Sequence, residues 1–306
     1  MVNIGINLCG VDLQNPIIPA SGTYGFGNEF CEFYDPNILG AISLKGTTKE
    51  PRYGNPQPRI AECSMGMINS VGLQNPGIDA VVNDEIPHLR TFYHQPIIAN
   101  ISGFSVEDYV ECCSKIDSLV DIIEVNVSCP NVHNGGMSFG TDPHSVAMVT
   151  EAVKKVTTKP VFIKLTPNVT DIVCIAKACE EAGADGLTLI NTLLGMRIDI
   201  KRRRPVIANR MGGFSGPAIF PIAVRMVYQV SRACNLPIIG CGGISTTDDV
   251  IEMMMAGAKA VQIGTANLIE PMTCKTIIDQ LPVRLAELGF NDIRELHSEA
   301  VLGFRP

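Results

Sequence analysis

Between Asn126 and Gly136 the chain reads NVSCPNVHNGG. A thiol, Cys129, stands among two carboxamides, Asn126 and Asn131, and a hydroxyl, Ser128. Each carboxamide offers a donor beside an acceptor, so the pair can hold a flat ligand with alternating donors and acceptors, and the thiol can take or give a proton. An unperturbed thiol titrates near ~8.5 and is a weak base at neutral pH. Such a site must raise its thiolate fraction, or work better as the pH rises. A structural cysteine beside turn-forming asparagines would read the same way if this stretch stood alone.

Two lysines widen the possibilities. Lys164 lies in IKLTP and Lys45 in SLKGTT, each at the end of a short apolar run. A buried ammonium needs a negative partner. That partner could be a flavin edge that turns anionic on reduction or an internal acid; the alternative role is a lysine that forms a Schiff base with a carbonyl substrate. Two glycine segments, CGGIS around Gly242-Gly243 and IGTA around Gly264-Thr265, offer bare backbone N–H groups ahead of helices, the arrangement that binds phosphate. The basic run Lys201-Arg202-Arg203-Arg204 reads as a solvated loop or a protein contact.

The elements that must position these groups follow a βα rhythm. Residues 4–15 suit a hairpin closing one end of a barrel, and 17–20 a first strand ending at Ser21. A short helix near 29–33 leads to a strand at 41–44, ending at Lys45-Gly46. Residues 47–68 look like an excursion over one face, and a helix follows from 78 to 92. Strands at 96–100, 121–127, 161–165, 186–190, 237–240 and 260–264 then alternate with helices at 106–119, 143–156, 171–182, 218–233 and 247–256. A long loop is expected at 191–217, a mobile lid over 132–142, and C-terminal helices after Pro271. Eight strands alternating with helices make a single (β/α)8 TIM barrel spanning 1–306, an α/β fold with an N-terminal hairpin and long loops over the C-terminal face. Ser21, Lys45, Asn100, Asn126, Lys164, Asn191-Thr192, Gly242-Gly243 and Gly264-Thr265 all fall at carboxyl ends of strands, the face where barrel enzymes collect their catalytic groups.

Composition narrows the partners. The 306 residues carry a net charge of −7, which argues against nucleic acid or an anionic membrane as the main partner. No apolar run approaches the ~20 residues of a membrane span, and the N-terminus MVNIGINLCG has no signal-like core, so a cytoplasmic protein is expected. Eleven cysteines without C-x-x-C spacing give no local signature for zinc or an iron–sulfur cluster, and no metal site is expected.

The segments SGTYGFG (21–27), SLKGTT (43–48), NSVGLQNPG (69–77), NVSCPN (126–131), IKLTPN (163–168), INT (190–192), GGFSGPA (212–218), GCGGI (240–244) and QIGTA (262–266) resemble, in this order, those of the dihydroorotate dehydrogenases. NSVGLQNPG and GMRID look like the class 1B catalytic subunit. The resemblance implies an FMN-bearing barrel that oxidises dihydroorotate to orotate in pyrimidine synthesis, with Cys129 as the base at C5. It places the substrate on Lys45, Asn69, Ser70, Val71, Gly72, Leu73, Asn126, Asn131, Asn191 and Thr192. It places FMN on Ser21, Lys45, Gly46, Asn100, Asn126, Lys164, Ile190, Gly216, Gly242, Gly243, Gly264 and Thr265. Class 1B also implies a homodimer core joined by a second subunit carrying FAD and a [2Fe–2S] cluster, a heterotetramer that delivers electrons to NAD. Class 1A, a homodimer passing electrons to fumarate, shares the cysteine. A non-redox barrel isomerase or lyase acting on a phosphorylated sugar would share the glycine loops, but has no evident need for the asparagine–cysteine cluster or Lys164.

Overall fold

The computed structural model describes residues 2–127 and 139–297. Its centre is an eight-stranded parallel sheet curled into a barrel. The chain opens with a hairpin, β1 (Ile6–Leu8) against β2 (Val11–Leu13), and then enters the barrel at β3 (Ile17–Pro19) and β4 (Ile42–Ser43). Two further strands, β5 (Ile60–Cys63) and β6 (Gly66–Asn69), lie outside it. The barrel resumes with β7 (Ile97–Ile101), β8 (Ile122–Asn126), β9 (Val161–Lys164) and β10 (Gly186–Leu189). After β11 (Leu193–Met196), β12 (Ile198–Asp199), β13 (Arg204–Pro205) and β14 (Met211–Ser215), it finishes with β15 (Ile238–Cys241) and β16 (Ala260–Ile263).

The barrel order is β3-β16-β15-β10-β9-β8-β7-β4, and Gly40 N donates to Ile17 O at 3.0 Å where β4 returns beside β3. Strands β7, β8, β9, β10, β15 and β16 are buried along their whole length. Helices cover their outer face and side chains fill the inner one, so these strands are spelled as near-continuous apolar runs. The helices between them start where local chemistry requires. Ser105 caps Val106–Ile116 and Asp142 caps Pro143–Lys154, which has proline at its first position. Asp171 caps Ile172–Glu181, and Thr246 with Asp249 forms a capping box on Thr247–Met255. Each such cap contributes about 1 kcal/mol.

The expected excursion and the expected long loop both contain strands. Residues 47–68 and 191–217 supply β5, β6, β11 and β14, which form an antiparallel sheet in the order β11-β14-β6-β5. Its register sets Gly213 opposite both Asn69 and Leu194. The reason these strands escape a local reading is physical. MGGFS carries two glycines, IAEC is half exposed, and the central pairing joins segments more than 140 residues apart. The basic run lies at a smaller hairpin, β12 with β13, where Lys201 and Arg202 are exposed and their backbone N–H groups donate to Asp199. Of the expected lid, residues 132–138 lie outside the described residues, while Phe139–Thr141 forms a single 3-10 turn.

Candidate active site

The carboxyl ends of the barrel strands open into one cavity of about 1300 Å³, its mouth included. Ser21 follows β3 into it, Lys45 and Gly46 follow β4, and Asn100 reaches it from β7. Asn126 and Lys164 are the last residues of β8 and β9 and are paired in register, and both line the wall. Ile190, Asn191 and Thr192 enter after β10, and Gly242-Gly243 and Gly264-Thr265 after β15 and β16. The antiparallel sheet roofs the cavity with Ile60, Met67, Asn69, Gly213 and Ser215, and Val71, Gly72 and Leu73 continue from Asn69 along the same wall.

Beneath the cavity lies a polar network that the sequence reading passed over. Glu124 is wholly buried in the middle of β8. Its Oε1 accepts from Asn100 Nδ2 at 2.6 Å and faces Lys164 Nζ at 3.4 Å. Its Oε2 accepts from Gln262 Nε2 at 2.6 Å and Thr188 Oγ1 at 2.8 Å. Lys164 also donates to Gln262 Oε1 at 2.7 Å and lies 3.5 Å from Ser21 Oγ. Of the partners open to Lys164, the internal acid is therefore present. A glutamate inside IIEVN, two residues before Asn126 and hence on the same strand face, is the signal in the sequence that could have found it.

The asparagines are held by one another and by the surrounding elements. Asn191 Nδ2 donates to Asn126 Oδ1 at 3.2 Å, and Asn191 Oδ1 accepts from Thr192 N at 2.8 Å. Tyr109, on the helix Val106–Ile116, donates its hydroxyl to Asn126 O at 2.9 Å and fixes the end of β8 from outside. Asn69 Nδ2 lies 3.4 Å from Gly213 O, linking two roof strands. Thr265 Oγ1 donates to Ser215 Oγ at 2.8 Å, tying the last glycine loop to the roof.

Lys45 is half-buried, and desolvation pushes its ammonium below the usual lysine range, with the nearby Arg59 guanidinium adding to the effect. Both features favour an anion in the cavity. Cys241 also lines the wall, but burial raises its thiol above the ordinary range more than Lys164 lowers it. It is a poor proton acceptor.

Two expected site residues sit just behind the wall. Ser70 is buried, with its Oγ accepting from Asn55 Nδ2 at 3.0 Å. Gly216 packs its Cα face against Gly66, while its neighbour Ser215 lines the cavity. Cys129 and Asn131 lie outside the described residues.

A family model described as dihydroorotate dehydrogenase matches residues 3–285. The chain belongs to the dihydroorotate dehydrogenase family. A protein of Bacillus cereus strain G9842 named "Dihydroorotate dehydrogenase B (NAD(+)), catalytic subunit" is 56% identical over 297 residues, 96% of each chain. A Bacillus anthracis strain CDC 684 protein of the same name matches at 56% identity over the same share of both chains. The class 1B resemblance carried by NSVGLQNPG and GMRID thus holds along nearly the whole of this dihydroorotate dehydrogenase chain. Within the family frame, the buried network of Glu124, Thr188 and Gln262 underlies those cavity residues that the motifs had marked.

Proposed function

We propose that this chain is the catalytic subunit of an NAD-linked dihydroorotate dehydrogenase. It oxidises (S)-dihydroorotate to orotate in pyrimidine synthesis in the cytoplasm and uses FMN held in the cavity at the barrel mouth. The observation that carries the cofactor reading is Asn100 Oδ1, a buried acceptor without a hydrogen-bond partner on a residue that lines the cavity. Leaving such an atom unpaired costs about 1–3 kcal/mol, and a flavin ring N–H would satisfy it. The other residues fit the same group. Lys164 supplies a cation for the flavin's N1/O2 edge, and Gly242 (φ 129°) and Gly243 (φ 80°) adopt backbone open to few side chains beside Gly264-Thr265, as a phosphate cradle requires. Ser21, Lys45, Gly46, Asn126 and Ile190 complete the proposed FMN contacts at the cavity wall, with Gly216 behind Ser215 in support.

Bound there, FMN supplies a two-electron acceptor. The chain's own residues do the rest. Asn69, Asn126, Asn131 and Asn191 match the donors and acceptors of the pyrimidine ring, with Ser70–Leu73 and Thr192 beside them. Lys45 faces the substrate carboxylate. Cys129 takes the proton from C5, and the roof sheet restricts water above the ring.

NAD is the final acceptor through a partner. The chain has no G-x-G-x-x-G opening a helix after a strand, and its relatives are named as catalytic subunits of an NAD-linked enzyme. A second subunit with FAD and a [2Fe–2S] cluster, docked on a homodimer of this chain in a heterotetramer, would carry the electrons on. Among the described residues no helix is long and apolar enough to cross a membrane.

The test begins with the spectrum of the purified chain, expected to be that of bound FMN. Dihydroorotate should bleach it, and NADH should form only after the iron–sulfur flavoprotein subunit is added. A colourless protein that takes up no FMN would overturn the reading. Fast fumarate reduction by the chain alone would move it to the class 1A reaction.

A further inference from the structure

We infer that Glu124 is a positioning residue for the flavin edge: it holds the Lys164 ammonium and the Asn100 carboxamide beneath the cavity and offsets part of the lysine's charge. The inference rests on the FMN reading above and concerns Glu124, which lies behind the cavity wall and does not itself reach the cofactor.

Three observations support it. First, all four groups around the Glu124 carboxylate are donors, from Asn100, Lys164, Thr188 and Gln262, an arrangement that suits the ionised form. Glu124 is 0% exposed and Lys164 4%, so water screens neither. Second, the contact to Lys164 is loose. At 3.4 Å it exceeds the 2.7–2.9 Å typical of an ammonium–carboxylate bond, and the shortest partner of Nζ is the neutral Gln262 Oε1 at 2.7 Å. The ammonium is held in place while much of its charge stays available to a neighbour at the cavity wall. Third, Glu124 sets the orientation of Asn100. Taking Nδ2 at 2.6 Å leaves Oδ1 as the unpartnered acceptor.

A stability role alone accounts poorly for this arrangement. Well-packed apolar groups in place of a buried ion pair are often neutral or stabilising. A carboxylate buried beneath a flavin-edge lysine would instead tune how strongly the site favours the reduced flavin.

The experiment measures the potential of FMN bound to the chain, by equilibration with a reference dye, together with FMN affinity from titration of the apoprotein. In Glu124→Gln the lysine charge is no longer offset. The ratio of reduced to oxidised FMN affinity should rise on the order of tenfold, which is about 30 mV upward for a two-electron couple. Thr188→Val removes one donor from Glu124 without changing any charge, which leaves the carboxylate less offset. It should shift the ratio the other way, by about threefold. Should Glu124→Gln not accumulate as folded protein, the sign of the Thr188→Val shift decides. A wild-type chain that binds FMN, with potentials unchanged in every variant that folds, would overturn the role of Glu124 and leave the FMN reading standing. A wild-type chain that takes up no FMN would remove both.

Discussion

A Cβ added to Gly213 would lie 2.0 Å from Thr192 Oγ1. The two residues come from different parts of the site. Thr192 follows the barrel strand β10, while Gly213 sits in β14 of the roof, opposite Asn69 of β6. The absence of a side chain at Gly213 lets β14 lie against Thr192 of the barrel wall while it pairs with Asn69 in the roof. Any side chain here must push Thr192 away or lift β14.

Gly213→Ala should therefore act on substrate binding first. The proposed substrate contacts Thr192 and Asn69 would move together, and KM for dihydroorotate should rise about tenfold or more, with a stability cost of about 1–3 kcal/mol from overpacking. Steady-state kinetics beside a thermal melt separates the two. An unchanged KM would show that the roof does not set the position of Thr192.

Cys129→Ala should keep the flavin spectrum and lose most dihydroorotate oxidation, about 10²-fold or more, as expected for removal of a general base. Cys129→Ser should retain some activity at high pH. In the wild type the rate should climb with pH as the thiolate fraction grows. Pre-steady-state flavin bleaching across a pH series is the measurement; near wild-type rates in Cys129→Ala at neutral pH would take the thiol out of the mechanism.

Lys164→Met strands the Glu124 carboxylate, which is wholly buried. Breaking a buried pair from one side costs about 3–5 kcal/mol, so the apoprotein should melt well below wild type. The double variant Lys164→Met/Glu124→Gln, which leaves no unpaired charge, should recover most of that loss. Chemical denaturation of the four proteins closes the cycle; a double-variant loss equal to the sum of the two single losses would show that the pair is not coupled.

His297 links stability to acid. Burial, with the Lys259 ammonium nearby, lowers its pKa to about 4, and its Nδ1 is buried without a hydrogen-bond partner. Above about pH 6.5 the imidazole is neutral in both folded and unfolded chains. Between 6.5 and 4 the unfolded chain binds a proton that the folded chain refuses, so stability is lost as pH falls, on the order of 2 kcal/mol for a partly exposed group. His297→Gln should flatten this part of the curve of stability against pH. A slope unchanged by the substitution would assign the acid sensitivity to other groups.

The barrel was legible in the sequence because its information is local. Ile122–Asn126, Val161–Lys164 and Ala260–Ile263 are short apolar runs buried on both faces, and the caps Ser105, Asp142, Asp171 and Thr246 each stand immediately before a helix. The strand ends were legible for the same reason, since a polar residue closing a buried strand falls at the barrel mouth. Two things were decided only by the tertiary structure. The roof depends on the pairing of β6 with β14, where glycines and half-exposed residues carry no periodic signal and the partner is distant in the chain. The Glu124 network depends on barrel closure, which brings Gln262 to Glu124 across 138 residues of sequence. A glutamate within an apolar run shows that a buried charge must be compensated, but which groups compensate it is set by strand order and register, and those exist only once the barrel has closed.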